Sequence, residues 1–455
     1  MRPTSFSSER REATQFWNEL LAGCADPDGL AESLVDAQRE QGLWLGDRPF
    51  CSVARPRLVA AAEMVVEEHA ATYLTSALRK VHDGVLADRE LCRTHLGHFD
   101  DWAQAILRME PRAHEAWSIL RLDSFLTEDG LRFVEANGDI PMGSVGNDGS
   151  LRLFRELEIY PAFTERYEVR PNLVNFGMVH TFMHAWQSWG GTGTPRICIV
   201  SFEGGMQDTF AQLNERALRD QGFAATAVYP EDLDWDGRRL RARGDPVDLV
   251  YRLQHYFDVL ERPDEMEALL QAVKAEAVCM VNPFRSALMS NKSLFALLTD
   301  PEHDFGFSAT EAAAIRAHVP WGRTMRGGRS TDPDGLGIDL VDWVLAHKDE
   351  LVLKPTHEAS GTGVELGWTC DDAAWSAAVS KALQEDFVVQ HRVGETLDEY
   401  PRLEPGFPLE TFYEDTDPFV FPGGYVAVFD RISSAQITNV ARGGSMVPTF
   451  VIDPK

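Results

Sequence analysis

The chain has 455 residues, enough for about three domains of ordinary size, and an apolar fraction of 44% with 11 Trp and 25 Phe to build a core. Lys and Arg number 43 against 71 Asp and Glu, a formal charge of −28. That balance argues against nucleic acid or an anionic membrane as partner, since both need a basic surface; a local basic cluster for a small anionic substrate stays open. The six cysteines are scattered without a Cys-x-x-Cys pair. The N-terminus carries no apolar signal core, and no run approaches the roughly 18 apolar residues of a membrane span. Reduced thiols and a cytoplasmic location are the expectation.

In chain order, residues 1–14 read as a disordered arm. Residues 15–115 read as helical, with Phe16, Leu20 and Leu21, then Leu58, Ala61, Ala62, Val65 and Val66, at helix spacing. His95 and His98 flank Gly97 with no third ligand near, and read as loop histidines. Residues 121–137 read as two strands around a turn at Asp129-Gly130. Four polar residues interrupt them: Arg121, Asp123, Glu135 and Asn137. A two-residue loop, Asp129 and Gly130, sets Asp123 against Ala136 and puts Glu135 on the other face. A three-residue loop, Glu128, Asp129 and Gly130, sets Asp123 against Glu135 and Arg121 against Asn137, with all four on one face. Two carboxylates and an amide oxygen on one face suit a hard cation such as Mg²⁺. A surface hairpin with its polar residues turned outward fits the same stretch.

A Pro/Gly loop and a helix over 151–157 follow. His180 and His184 stand one helical turn apart, but Thr181 occupies the place where a zincin needs Glu, so they read as packing histidines. Residues 196–202, 207–221, 225–229 and 247–253 alternate strand, helix, strand, strand, which predicts a right-handed βαβ layer. The Glu203-Gly-Gly205 loop lacks the third glycine of a dinucleotide fingerprint, and a substrate-binding layer fits it equally well. A helix carries Asn291 and Lys292, and Lys292 can project from it into a cleft or into solvent. Lys354 is embedded in an apolar strand, where a charge is costly unless it meets an anion. Ser360, Gly361, Thr362 and Gly363 follow it and can bring backbone N–H groups close to phosphates; a glycine hairpin with an edge lysine is the plain alternative. A helix over 371–383 and a strand over 387–393 come next. Arg431 and Arg442 sit at strand ends near the C-terminus, as phosphate-neutralising cations or as ordinary surface arginines.

Taken together, Arg121-x-Asp123, Glu135-x-Asn137, Asn282-Pro-Phe-Arg285, Asn291-Lys292, Leu353-Lys-Pro355 with its glycine loop, Val389-Gln390 and Thr438-Asn-Val-Ala-Arg-Gly-Gly444 resemble the ATP-grasp superfamily. The acidic motif precedes the lid lysine. That order resembles the circularly permuted branch of glutathionylspermidine-synthetase-like carboxylate–amine ligases. The resemblance covers about 115–160 and 275–455. It implies a mixed α/β, circularly permuted ATP-grasp fold with a helical N-terminal region (1–115), a first core part with the metal hairpin (116–190), a Rossmann-like substrate-side layer (191–275), and the lid with the rest of the core (276–455). It also implies ATP and Mg²⁺ as cofactors, small-molecule carboxylate and amine substrates resembling amino acids, peptides or polyamines, and room for a homo-oligomer.

The implied roles follow residue by residue. Asp123, Glu135 and Asn137 ligate Mg²⁺. Arg121 stabilises the transferred phosphoryl group. Lys292, Lys354 and, more weakly, Arg442 contact phosphates, with Ser360, Gly361, Thr362 and Gly363 as the lid. Gln390, His391 and Val393 line the adenine pocket. His391 departs from the carboxylate that relatives commonly carry after the glutamine, which puts its side-chain contact in doubt. A phosphotransferase or a nucleotide-gated binding module would keep the same nucleotide residues. A dinucleotide oxidoreductase built on 196–230 is disfavoured by the incomplete glycine fingerprint.

Overall fold

The computed structural model describes residues 7–96, 101–109, 119–358 and 361–455. Helix α1 (Ser8–Ala22) leads to strand β1 (Arg57–Ala60) and the long helix α2 (Ala61–Ala87). The hairpin is β2 (Leu120–Thr127) and β3 (Gly130–Asn137). Residues 197–281 hold β4 (Ile197–Val200), α3 (Gly205–Asp220), β5 (Ala225–Val228), β6 (Leu249–Arg252), α4 (Tyr256–Glu261) and β7 (Cys279–Val281). Next come α5 (Lys292–Ala296), β8 (Gly322–Thr324), β9 (Leu351–Pro355), β10 (Glu365–Leu366) and β11 (Phe387–His391). The chain closes with β12 (Leu397–Pro401), β13 (Leu409–Val420), β14 (Val426–Ser433), β15 (Ser445–Val447) and β16 (Thr449–Pro454).

Three sheets frame the molecule. The largest runs β15-β14-β13-β2-β3, with β12 added to β13, and its pairings are antiparallel. A smaller antiparallel sheet, β8-β11-β9-β10, carries the lysine strand. The βαβ layer is a parallel sheet, β7-β6-β4-β5. Its strand β4 is buried at every position, as expected of a parallel strand covered on both faces. No helix among the described residues is long and apolar enough to cross a membrane.

Of the expected N-terminal arm, residues 1–6 lie outside the described residues, and residues 7–14 differ from expectation. Ser7 caps a helix that starts at Ser8, its side chain accepting from the Arg10 N–H. Arg10 is fully buried and ion-pairs with Glu414 at 2.8 Å and Asp398 at 3.3 Å. These long-range contacts order a segment whose polar composition alone reads as unstructured. Arg55 and Arg57, also fully buried, complete the cluster: Arg55 meets Asp398 at 2.9 Å, and Arg57 meets Glu67 at 2.6 Å, Asp430 at 3.4 Å and Glu414 at 3.5 Å. Burial would raise the Glu414 pKa, but Arg10 and Arg57 hold it at about 2. The same cluster joins α1, β1 and α2 to β12, β13 and β14, and β1 pairs directly with the last strand, Arg57 opposite Thr449.

Breaking a buried pair by removing one partner costs about 3–5 kcal/mol, because the other charge is left uncompensated. Arg57→Met is therefore expected to lower the urea unfolding midpoint by a loss of that size. An unchanged midpoint would show that the cluster does not anchor the N-terminal region.

Candidate active site

The hairpin β2–β3 reaches its register by a route that loop length alone did not suggest. Thr127 pairs with Gly130, so the turn is the two residues Glu128 and Asp129. Gly130 adopts φ +96°, a conformation open to a residue without Cβ. Continued along the strands, that register would set Asp123 against Val134 and turn Glu135 to the other face. A β-bulge at Val134 inserts one residue between Phe133, opposite Ser124, and Glu135, opposite Asp123. The expected three-residue loop is thus corrected to a two-residue turn plus a bulge. The outcome it was needed for is met: Arg121 lies opposite Asn137, Asp123 opposite Glu135.

Asp123 sits at the centre of this face. Its Oδ1 accepts from Arg121 Nε at 2.8 Å and Asn137 Nδ2 at 2.8 Å; its Oδ2 accepts from Arg121 Nη2 at 3.1 Å and Arg431 Nη2 at 2.9 Å. Two lone pairs per oxygen are then in use. Burial would raise its pKa, but Arg121 and Arg431 hold it at about 2. A cation drawing on Asp123 must displace one of four donors. Glu135 is more open: its nearest cation is Lys292, Nζ to Oε2 3.5 Å. The Asn137 amide NH₂ is turned to Asp123, which leaves its oxygen available. Two carboxylates and an amide oxygen remain a donor set of the hard kind that suits Mg²⁺.

The smaller sheet lies across this face. Strand alternation puts Val352, Lys354, Val388 and Gln390 on one side, and Leu351, Leu353, Phe387 and Val389 in a core on the other. Lys354 Nζ donates to Gln390 Oε1 at 2.8 Å and to the Val134 carbonyl at 3.4 Å; Gln390 Nε2 donates to the same carbonyl at 3.2 Å. The Val134 carbonyl at the bulge therefore ties the hairpin to the smaller sheet. Burial pushes the Lys354 pKa down to about 8, with Glu135 opposing and Lys292 reinforcing the shift. Lys292, the first residue of α5, donates to the Glu358 carbonyl at 2.8 Å.

A cleft between the two sheets is lined by Asp123, Glu135, Lys292, Lys354, Gly361, Thr362, Gln390, His391 and Val393, among others. Gly361 and Gly363 have φ of +70° and +69°. Ser360 lies outside the described residues, as does His98. Arg442 is exposed and outside the cleft lining, near Gly361 at its rim. The His391 ring meets Glu350 at 3.5 Å, and by alternation it sits with the core-side residues rather than with Gln390. The residue lines the cleft, with its ring turned toward Glu350 rather than along the Gln390 side chain. Asn282, from the Asn-Pro-Phe-Arg motif, bonds the Ile119 N–H and the Ile119 and Gly138 carbonyls, and so holds the hairpin's two ends.

Sequence reading left Arg431 undecided and passed over Asp415 and Asp417. Arg431 is 5% exposed. Its guanidinium reaches Asp415 at 2.6 Å, Asp123 at 2.9 Å and Asp417 at 2.9 Å. The Asp417 contact is ionic only, since neither of its oxygens accepts a hydrogen bond; burial drives its pKa well above the usual carboxylate range. The signal was there, as acidic residues two apart on a strand opposite an arginine.

A second pocket adjoins the cleft and shares Glu135, Lys292, Glu358, Arg431 and Asn439 with it. Its further walls come from the parallel layer and its connections, including Met206, Gln207, Phe210, His255, Tyr256 and Phe257, with Arg121, Asn137 and Asp139 from the hairpin side.

No protein-family model matches the sequence, and no curated protein matches it. Among solved structures, a glutathione synthetase-like effector from Globodera pallida in its apo form is similar at a TM-score of 0.57 and 12% identity, over 93% of this chain and 96% of that one. A protein designated gamma-glutamylcysteine synthetase from Methylobacillus flagellatus aligns at 0.42 and 12%, over 87% and 89%, and a D-cycloserine synthetase at 0.25 and 14%, over 51% and 89%; scores that low carry no weight here. The first likeness spans nearly the whole of both chains and shows the fold. It is a mixed α/β architecture in which the acidic hairpin precedes the strand that carries Lys354.

Anionic phosphate beside Lys354 favours its charged form. Its side-chain resonance is expected to titrate near pH 8 in the free protein and at higher pH once Mg²⁺-ATP is added, read by NMR of labelled lysine. A titration unmoved by the nucleotide would remove Lys354 from the phosphate site.

Proposed function

We propose that the protein is an ATP-dependent carboxylate–amine ligase, forming an amide through an acyl phosphate and releasing ADP and phosphate. The observation that carries this reading is the junction of two pockets. A cleft roofed by Lys354 and Gln390 meets a second pocket at Glu135, Lys292 and Arg431, so that a phosphate donor and a second substrate can meet beside cations and hard ligands.

In this reading the protein chiefly positions groups and neutralises charge. Glu135 and Asn137, with Asp123 once an arginine yields, would hold Mg²⁺. The ion, when bound, supplies charge neutralisation at the phosphates. Lys354 on β9 and Lys292 at the start of α5 would contact the phosphates, together with Gly361 and Thr362, which line the same cleft. Gln390 and Val393 line the adenine side. Arg121 lines the second pocket, where it would stabilise the transferred phosphoryl group. The substrates are small molecules bearing a carboxylate and an amine. The same nucleotide residues would serve a phosphotransferase, which product analysis separates.

A screen of amino acids, short peptides and polyamines with Mg²⁺-ATP is expected to yield ADP and phosphate in step with amide. AMP and pyrophosphate would overturn the acyl-phosphate route, and a phosphorylated product without amide would favour phosphotransfer. Removing one preorganised electrostatic group costs about 10²–10³-fold in rate. Glu135→Gln is expected to lose at least that much turnover while thermal unfolding changes little; retained turnover would remove Glu135 from the metal site. Lys354→Ala is expected to lower kcat/KM for ATP by a similar factor, and unchanged ATP kinetics would exclude its role.

A further inference from the structure

Amide formation requires an unprotonated amine, yet a primary amine near neutral pH is mostly ammonium. If the function proposed above holds, a group in the second pocket must take that proton. The proton acceptors lining this pocket, among the described residues, include Glu135, Asp139, His255, His357 and Glu358. Glu135 belongs to the proposed metal set. Asp139 is 3% exposed and fully engaged, with Arg252 at 2.7 Å and the Tyr256 N–H at 2.9 Å. Glu358 and His357 stand on the lid segment just after β9.

His255 differs from His357, whose Nδ1 lies 3.4 Å from the Tyr256 hydroxyl, in having a carboxylate at its ring nitrogen. Its Nδ1 lies 3.2 Å from Asp139 Oδ2, and its ring stacks on Phe257 at 4.7 Å between centroids with 12° between planes. With Nδ1–H donated to Asp139, Nε2 is the nitrogen with the free lone pair. Asp139 is in turn fixed by the fully buried Arg252. The residue also stands where a parallel sheet binds ligands. In the order β7-β6-β4-β5, the chain builds outward from β4 to β5 and then returns to the other side at β6. The crevice at the carboxyl ends of β4 and β6 is therefore the topological switch point. His255 follows β6 there, and Met206 and Gln207 from the start of α3 face it across the same pocket.

We infer that His255 is the general base of the amine step, with Asp139 as its positioning residue, and that the amine enters at the switch point of the parallel layer. This rests on the ligase reading. An ammonium N–H gives its proton to His255 Nε2. The neutral amine then attacks the acyl-phosphate carbonyl carbon, the C–N bond forms, and the C–O bond to phosphate breaks with its electron pair on the leaving oxygen. The nitrogen's second proton leaves with phosphate, and His255 returns the first to solvent, so the step needs no further reactant.

Hydroxylamine, largely unprotonated at neutral pH, attacks acyl phosphates without such a base. With the acid found in the screen, His255→Gln is expected to lose about 10²–10⁴-fold in amide formation but far less in hydroxamate formation. Amide formation within about threefold of wild type would overturn the inference. Should both products fall together, His255→Ala with added imidazole decides: recovered amide formation upholds the base, and no recovery overturns it. Wild-type protein that makes no hydroxamate from any acid would instead defeat the ligase reading, and this inference with it.

Discussion

The buried guanidinium of Arg431 is the contact on which the site depends. It reaches three carboxylates, Asp123 on the hairpin and Asp415 and Asp417 on β13, and it comes from β14. Three strands that alternate through the centre of the largest sheet are thereby tied by one cation. Removing it would leave three buried carboxyl groups with Arg121 as their remaining arginine, so the arrangement is held by mutual necessity more than by net gain. Asp123 pays for its low pKa with saturated lone pairs. A metal ion at Asp123 would have to compete with Arg121 and Arg431 for the same two oxygens. The resting site is one in which cations of the protein occupy part of the place proposed for a cation from solution.

The sheet is charged on both faces, and strand alternation separates the two sets. Glu414 and Asp430 point to the cluster of Arg10, Arg55 and Arg57, whereas their neighbours Asp415 and Arg431 point to the site. On the rear face the arginines come from α1, β1 and the residues just before β1, far away in sequence, and all three are fully buried. On the site face the carboxylates Asp123, Glu135, Asp415 and Asp417 are set against Arg121, Arg431, Lys292 and Lys354. Four acids balance four bases. A polyphosphate entering that balance would add negative charge without an answer, and a divalent ion arriving with it would offset part of that charge.

How far this was legible depends on the range of the interaction. Lys354 stood out because an ammonium in an apolar strand is costly in isolation, and its partners prove to be an amide oxygen and a bulge carbonyl. The four hairpin residues were legible by type and spacing, but their register was not. Val134 is β-branched like any strand residue, and nothing local marks it as the extra one. Arg10 was illegible for another reason: its partners lie 388 and 404 residues away. The pairing of Asp139 with His255 spans 116 residues and was beyond reach for the same cause. Arg442 shows the converse, since a motif-like position proved to be a rim residue.

The bulge at Val134 links these observations. A regular hairpin with the same turn would have kept the Val134 rung of the ladder and would have split Asp123 from Glu135. The inserted residue gives up one rung of the ladder, which weakens the hairpin locally. In exchange, Glu135 and Asn137 come round to the face of Asp123, and the Val134 carbonyl accepts from Lys354 and Gln390. Register and lid docking are thus set by one backbone irregularity. A sheet irregularity that only relieved strain would not need to place its carbonyl between two polar side chains of a different sheet. That coincidence favours a bulge retained for the site it builds, with hairpin and lid coupled through a main-chain atom that no side-chain substitution can remove.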